Sequence, residues 1–185
     1  AYGGTLEKRL RFAVETIEQV RDAVGPDYPI SFRTSQWKSV DYSAKTYKSP
    51  QELEIALLAF INAGVDIIHT STRRFWEPEF EGSHLNLAGW AKKLTGIPSI
   101  SVGSVGLQAD SKKTADSGNK GLAAMEGSDA NADLEQLLER MERDEFDMIA
   151  VGRAILSNWD WPNMVREGRL HEARAFEGSH MKVLY

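Results

Sequence analysis

Cysteine is absent from the 185 residues. That excludes disulfides, thiolate metal sites and a cysteine nucleophile in this segment, and it fits a cytoplasmic setting. Long apolar runs are missing too: none approaches the ~18–20 residues of a membrane span, and no basic-then-apolar leader opens the chain. Positive charge is in short supply, with 22 Lys and Arg against 27 Asp and Glu and a net charge of −5. Neither nucleic acid nor a membrane is therefore expected as a partner. No strand is followed by Gly-x-Gly-x-x-Gly, which counts against a dinucleotide-binding open sheet. The four histidines, His69, His84, His171 and His180, have no metal-ligand spacing, so no metal site is assigned.

What is present is an ordinary globular composition, 42% hydrophobic and 26% charged, long enough for one core. The residues Leu6, Leu10, Ala13, Val14, Ile17, Val20 and Val24 form the stripe of an amphipathic helix. Thr5 is placed to cap it, and Gly25-Pro26 to stop it. Pro29–Arg33 reads as a strand. Ser49-Pro50-Gln51-Glu52 combines a cap serine, a proline at the first helical position and a glutamate three residues after the cap. The helix it starts closes at Gly64. Val65–Thr70 is the second strand, and a helix is predicted around Leu87–Leu94. Ser99–Gly103 is the third strand. The Ser-, Asp- and Gly-rich stretch from Gln108 to Asp129 reads as a long loop. Asp133–Arg143 is a helix with Leu134, Leu137, Leu138 and Met141 inward, Asp147–Val151 the fourth strand, and the remainder short helical pieces.

Helices and strands thus alternate, which implies a parallel sheet in an α/β fold. Strand ends near Arg33, His69, Gly103 and Gly152 lie 36, 34 and 49 residues apart. The first two intervals are close to the ~31 residues per unit of a (β/α)8 TIM barrel. Four strands cannot close such a barrel, so residues 1–185 are expected to be half of one, with no second domain.

Two strand ends carry the strongest chemical signal. Ser101-Val102-Gly103-Ser104 and Ala150-Val151-Gly152-Arg153 are each an apolar strand ending in glycine, followed by a small or basic residue. Glycine lets backbone approach a ligand, and exposed N–H groups there can cradle a phosphate. Phosphate sites in these barrels lie after the seventh and eighth strands, where Arg153 would add a forked permanent cation. The alternative is two plain turns with Arg153 on a solvated rim. Arg33 ends the first strand at the rim where catalytic residues sit, or else pairs with an acidic loop residue. His69, at the matching place on the second strand, reads more readily as a hydrogen-bonded core histidine than as a base. Trp37, Phe75, Trp76, Trp159 and Trp161 could wall a flat ligand or form a subunit contact.

Tyr2-Gly3-Gly4-Thr5-Leu6-Glu7-Lys8-Arg9-Leu10-Arg11-Phe12 resembles the Y-G-G-S-x-E-N-R-x-R-F signature of the Old Yellow Enzyme family, with Thr5 in place of serine and Lys8 in place of asparagine. The resemblance continues through Gly25-Pro26, Phe32-Arg33, Gly64-Val65-Asp66, Val102-Gly103-Ser104 and Val151-Gly152-Arg153, and so covers nearly the whole chain in order. It implies the C-terminal half of an FMN-binding TIM barrel, from its fourth helix to its eighth. It further implies an oxidoreductase that passes hydride from NAD(P)H, through FMN, to the activated double bond of an enone or quinone-like substrate. By the same resemblance Arg33 matches the arginine at the flavin's pyrimidine edge, and Gly103, Ser104, Gly152 and Arg153 match the phosphate-binding positions. Phe176-Glu177-Gly178-Ser179 before an apolar stretch is similar to family C-termini, so the tail is read as native. The family's substrate-anchoring pair and proton-donating tyrosine fall upstream of Tyr2. No catalytic residue is therefore assigned here, and the segment alone is expected to be inactive.

The partner this reading requires is the N-terminal half of the barrel, or self-association through exposed strand edges near Ile30–Phe32 and Asp147–Val151, with an apolar inner face to cover. Two other readings stay open: half of a phosphate-binding barrel that uses no flavin, and a non-catalytic assembly fragment.

Overall fold

The computed structural model describes residues 2–38, 41, 43–106 and 134–182. The Gln108–Asp129 stretch expected as a long loop lies outside them. In chain order the elements are α1 (Leu6–Val24), β1 (Ser31–Ser35), α2 (Pro50–Asn62), β2 (Ile67–Ser71), α3 (Leu87–Thr95), β3 (Ser99–Val102), α4 (Leu134–Glu142), β4 (Met148–Ala150), α5 (Arg153–Ser157) and α6 (Trp161–Arg166), with short 3₁₀ turns at Leu170–Glu172 and Gly178–Lys182. The strands form one sheet in the order β1-β2-β3-β4, and the β1–β2 and β2–β3 pairs are parallel. The expected α/β alternation is the observed one. The chain divides into two compact units, Ala1–Val102 with Arg140–Ile149, and Gly103–Glu139 with Ala150–Tyr185.

In the first unit the helix signals act largely as the residues dictate. Ser49 Oγ accepts from the Glu52 N–H at 3.2 Å, and the Glu52 carboxylate reaches back to the Lys48 N–H at 2.8 Å. The two ends of the capping box are therefore both satisfied. Thr5 stands at the start of α1 but makes no side-chain cap; its hydroxyl bonds the Glu7 carboxylate instead and helps hold that carboxyl below its ordinary pKa, after the larger effect of the Glu7 N–H. Gly64, at φ +116°, ends the α2 segment, and a Cβ there would meet the Arg21 side chain at 2.9 Å. The first two strands begin later than expected, because the residues before them are spent on end contacts.

An aspartate immediately before β2 and another just before β4 tie down the start of the neighbouring strand. Asp66 Oδ2 accepts the Ile30 N–H at 2.7 Å and pairs with Arg21. Asp147 Oδ2 accepts the Ser99 N–H at 2.8 Å, and its other oxygen pairs with Lys92 at 2.9 Å. The Ile30 N–H, opposed by partial burial and aided by Arg21, lowers the Asp66 pKa. Burial works against ionisation at Asp147, but the Ser99 N–H and Lys92 outweigh it and its pKa also falls. Each carboxylate satisfies a strand-end donor that the sheet leaves over.

The strands' two faces differ. Thr34, Ile68, Thr70, Ser99 and Ser101 are buried, and Ile68 belongs to a core with Leu10, Ile17, Leu53, Ala56, Leu57, Phe60, Leu87 and Ala91. Phe32 packs on that core with its ring 4.6 Å from Phe60's. Asn86 caps α3 by accepting the Gly89 N–H and donates to Phe75 O and Ser101 Oγ, whereas the buried Ser99 Oγ has no partner among the described residues. The opposite face alternates through Ser31, Arg33 and Ser35 on β1, Ile67, His69 and Ser71 on β2, and Ile100 and Val102 on β3. The apolar inner face expected from sequence is therefore present only in part, through Ile67, Ile100 and Val102. Its residues on β1 are all polar, because the period-two alternation puts Phe32 and Thr34 on the core side.

Three further expectations need correction. Val20 and Val24, placed on the buried stripe of α1, are exposed; the last turn is fastened instead by Arg21, which donates to Gly64 O, Gly25 O and Tyr28 O. Leu138, placed inward on α4, is exposed while Leu137 and Arg140 are buried. The buried face turns on the i, i+3 spacing of those two residues, and Arg140 spends its charge on Glu145 at 2.9 Å and on Trp76 O at 3.0 Å. Phe75 and Trp161, grouped with the loop aromatics, are core residues.

Candidate functional site

Arg33 and His69 are register partners on the open face of β1 and β2. Arg33 donates from Nη2 to Ser71 Oγ at 3.0 Å, two residues further along β2. Among the described residues no acidic loop partner meets Arg33; the exposed guanidinium is held by the neutral Ser71 hydroxyl. His69 is half-buried, and its Nε2 is buried without a hydrogen-bond partner among the described residues. The hydrogen-bonded core histidine expected from sequence is thus not what this nitrogen provides. Desolvation first, and the Arg33 charge second, push the His69 pKa below its ordinary value, so near neutral pH the imidazole is uncharged. Arg33 therefore sits beside a neutral ring and a hydroxyl, an electropositive point that no other ionised group on this face offsets among the described residues.

A small cavity of about 130 Å³, with Gln36, Lys45, Thr72, Arg74 and Glu79 in its lining, opens beyond the ends of β1 and β2. Ligand pockets usually measure ~300–1,000 Å³, so it cannot hold a flavin by itself. Its charges are spoken for: Lys45 pairs with Glu79 at 2.6 Å, and Arg74 with Glu77 at 3.0 Å.

The second unit holds the other four predicted residues. Directly after β3, Ser104 has φ +54° and Gly106 φ +66°, while Val105 between them does not. Only a few per cent of non-glycine residues take positive φ, so Ser104 marks a backbone held against its preference. Gly103 before it is also at positive φ, +158°. After β4, Gly152 is exposed, and a Cβ at that position would meet nothing within 4 Å. The next residue, Arg153, is half-buried, and desolvation lowers its pKa; at an arginine this leaves the charge intact but poorly hydrated. Its guanidinium lies 5.8 Å from the centre of the Phe176 ring. A partly desolvated fixed cation, an open glycine and a left-handed serine turn fit a phosphate group. Gly103, Ser104, Gly152 and Arg153 fall within one unit, and Arg33 in the other.

Phe176 and the groups that hold its segment were missed by sequence reasoning. They are one aromatic and a few polar residues in a stretch without periodicity, and nothing in their spacing singles them out.

Parallel βα units joined in one sheet define a segment of an α/β barrel-type fold. Residues 1–139 match the NADH:flavin oxidoreductase / NADH oxidase family, and the chain belongs to it. It is 31% identical over 181 residues to an NADH oxidase of Thermoanaerobacter brockii, covering 94% of this chain and 23% of that protein. A cinnamate reductase of Clostridium sporogenes is 26% identical over 192 residues, covering 94% of this chain and 25% of that protein. The chain thus spans about a quarter of the length of these curated relatives. Among solved structures, the old yellow enzyme homologue from Zymomonas mobilis superposes with a TM-score of 0.62 at 14% identity, over 97% of this chain and 42% of that one. A variant of morphinone reductase in complex with tetrahydroNAD gives 0.60 at 18% identity, over 95% and 38%. These likenesses show the fold, part of a TIM barrel.

Proposed function

We propose that this chain supplies the FMN phosphate grip and a flavin-facing cation to an FMN-dependent NAD(P)H oxidoreductase that reduces activated C=C bonds. The observation that carries the reading is Arg153, a half-buried guanidinium directly after an unobstructed Gly152 at the end of β4. Gly103 and Ser104 provide backbone N–H groups to the same phosphate, and Arg153 neutralises its charge through a charge-assisted contact. Arg33 has the task of an electrostatic anchor at the pyrimidine edge, where a permanent cation favours negative charge on the ring. The neutral His69 and the Ser71 hydroxyl keep that cation in place without quenching it. FMN, when bound, supplies the hydride transfer between a nicotinamide donor and the substrate. The names of the cinnamate reductase and of the tetrahydroNAD complex support an α,β-unsaturated carbonyl substrate and NAD(P)H as donor. Residues 1–185 act as half of the barrel, and the edges of β1 and β4 pair with its remaining strands.

FMN titration of the apoprotein tests this. Arg153→Ala weakens FMN by roughly 1.5–3 kcal/mol, the usual worth of a hydrogen bond to a charged group. Unchanged affinity would make Arg153 a rim residue and remove the basis of the reading.

A further inference from the structure

Arg153 does not stand by itself. The segment after the 3₁₀ turn at Leu170–Glu172 returns to the end of α5 and is fastened there. Asn158, 3% exposed, accepts the Arg174 N–H at 2.8 Å and donates to Arg174 O at 2.9 Å. Arg174 Nη2 donates to Ser157 O at 2.6 Å, and Ser157 Oγ lies 2.9 Å from His180 Nδ1. His180 Nδ1 also accepts the Glu177 N–H at 3.2 Å. Between these ties sits Phe176, 2% exposed, with its ring under the Arg153 guanidinium. Every clasp residue is one short helix away from Arg153 in sequence or lies on the returning segment.

We propose that Phe176 is the positioning residue for Arg153, with the Arg174–His180 clasp fixing the ring so that the guanidinium is held ready for the cofactor's phosphate. A guanidinium within ~6 Å of a ring centroid is attracted by the ring quadrupole, more strongly when desolvated. An arginine side chain has many rotamers, and ordering it in advance lowers the cost of binding. The aromatic face adds order without bringing a negative charge of its own. This inference rests on the assignment of Arg153 to the FMN phosphate and goes beyond it to the group that prepares that arginine.

The experiment compares FMN with riboflavin, which lacks the phosphate, in titrations of the apoprotein containing this chain. Phe176→Leu keeps an apolar side chain but removes the π face; it raises the FMN Kd about 3- to 10-fold and leaves riboflavin unchanged. Phe176→Tyr, which keeps the face, restores FMN binding. Equal losses for FMN and riboflavin would reduce Phe176 to a packing residue and overturn the proposal, as would FMN binding insensitive to Phe176→Leu. If that variant does not fold, Phe176→Met, flexible and close in volume, is titrated with the same two ligands and the same criteria. Arg153→Ala separates the two levels. If it has no FMN-specific effect, the phosphate assignment itself fails; if it has one and Phe176→Leu does not, only the positioning role fails.

Discussion

The two compact units are held together by different chemistry. The first is organised by apolar periodicity: α1, α2 and α3 cover one face of the strands, and Leu53, Leu57, Ile68 and Leu87 are wholly buried between them. Among the described residues the second has short helices and a polar junction, with the buried Ser157 and Asn158 tied to Arg174 and His180. Apolar packing tolerates small shifts, whereas a hydrogen-bonded clasp fixes a particular geometry. A scaffold needs the first property and a residue that must present a charge to a ligand needs the second.

The largest test of this contrast is in the first unit. Phe60 is 3% exposed and touches Phe32, so Phe60→Ala removes a core aromatic and costs about 3–5 kcal/mol. Denaturant unfolding should show the loss as a lower midpoint at constant slope. A change below about 1 kcal/mol would mean that the apolar layer is not what stabilises this unit.

Asn158→Ala is a smaller and sharper probe. It leaves the Arg174 N–H and C=O without their partners, for about 1–3 kcal/mol. Hydrogen exchange should quicken at Arg174 and in the segment around it while α2 amides keep their protection. Uniform loss of protection across the chain would erase the distinction between the two units.

The smallest effect belongs to His69, a polar exception in the apolar unit. Its folded pKa lies below the unfolded value of about 6.5, so the unfolded chain takes up the proton first. Stability from this group is therefore complete above about pH 6.5 and is lost as the pH falls through the folded pKa. Melting temperature should decline over that acid limb, and His69→Gln should flatten the decline. An unaltered limb in the variant would place the titration on another group.

The same contrast decides what could be read before the fold was known. The helices α1 and α2 and the βα alternation follow from residue spacing and punctuation: the Ser49-Pro50-Gln51-Glu52 start and the Gly25 stop act locally, through bonds within one turn. That Arg33 lies on the first strand and that Gly103, Ser104, Gly152 and Arg153 follow the third and fourth was legible because strand ends are legible. Local pattern failed where a distant partner decides. Arg140 is buried because Glu145 and Trp76 O meet it, and Leu138 is exposed because its neighbours on α4 already fill the inward face. Phe75 and Trp161 read as loop aromatics until packing buried them.

Sequence alone determined the parallel α/β order and the family, since these depend on hydrophobic period, turn chemistry and residue identity along the chain. Only the tertiary structure decided that the open sheet face is largely polar, that His69 Nε2 is buried without a partner among the described residues, and that Phe176 lies under Arg153. Those are consequences of strand register and of a chain segment folding back across about 20 residues, and no local spacing encodes which side chain a returning segment will meet.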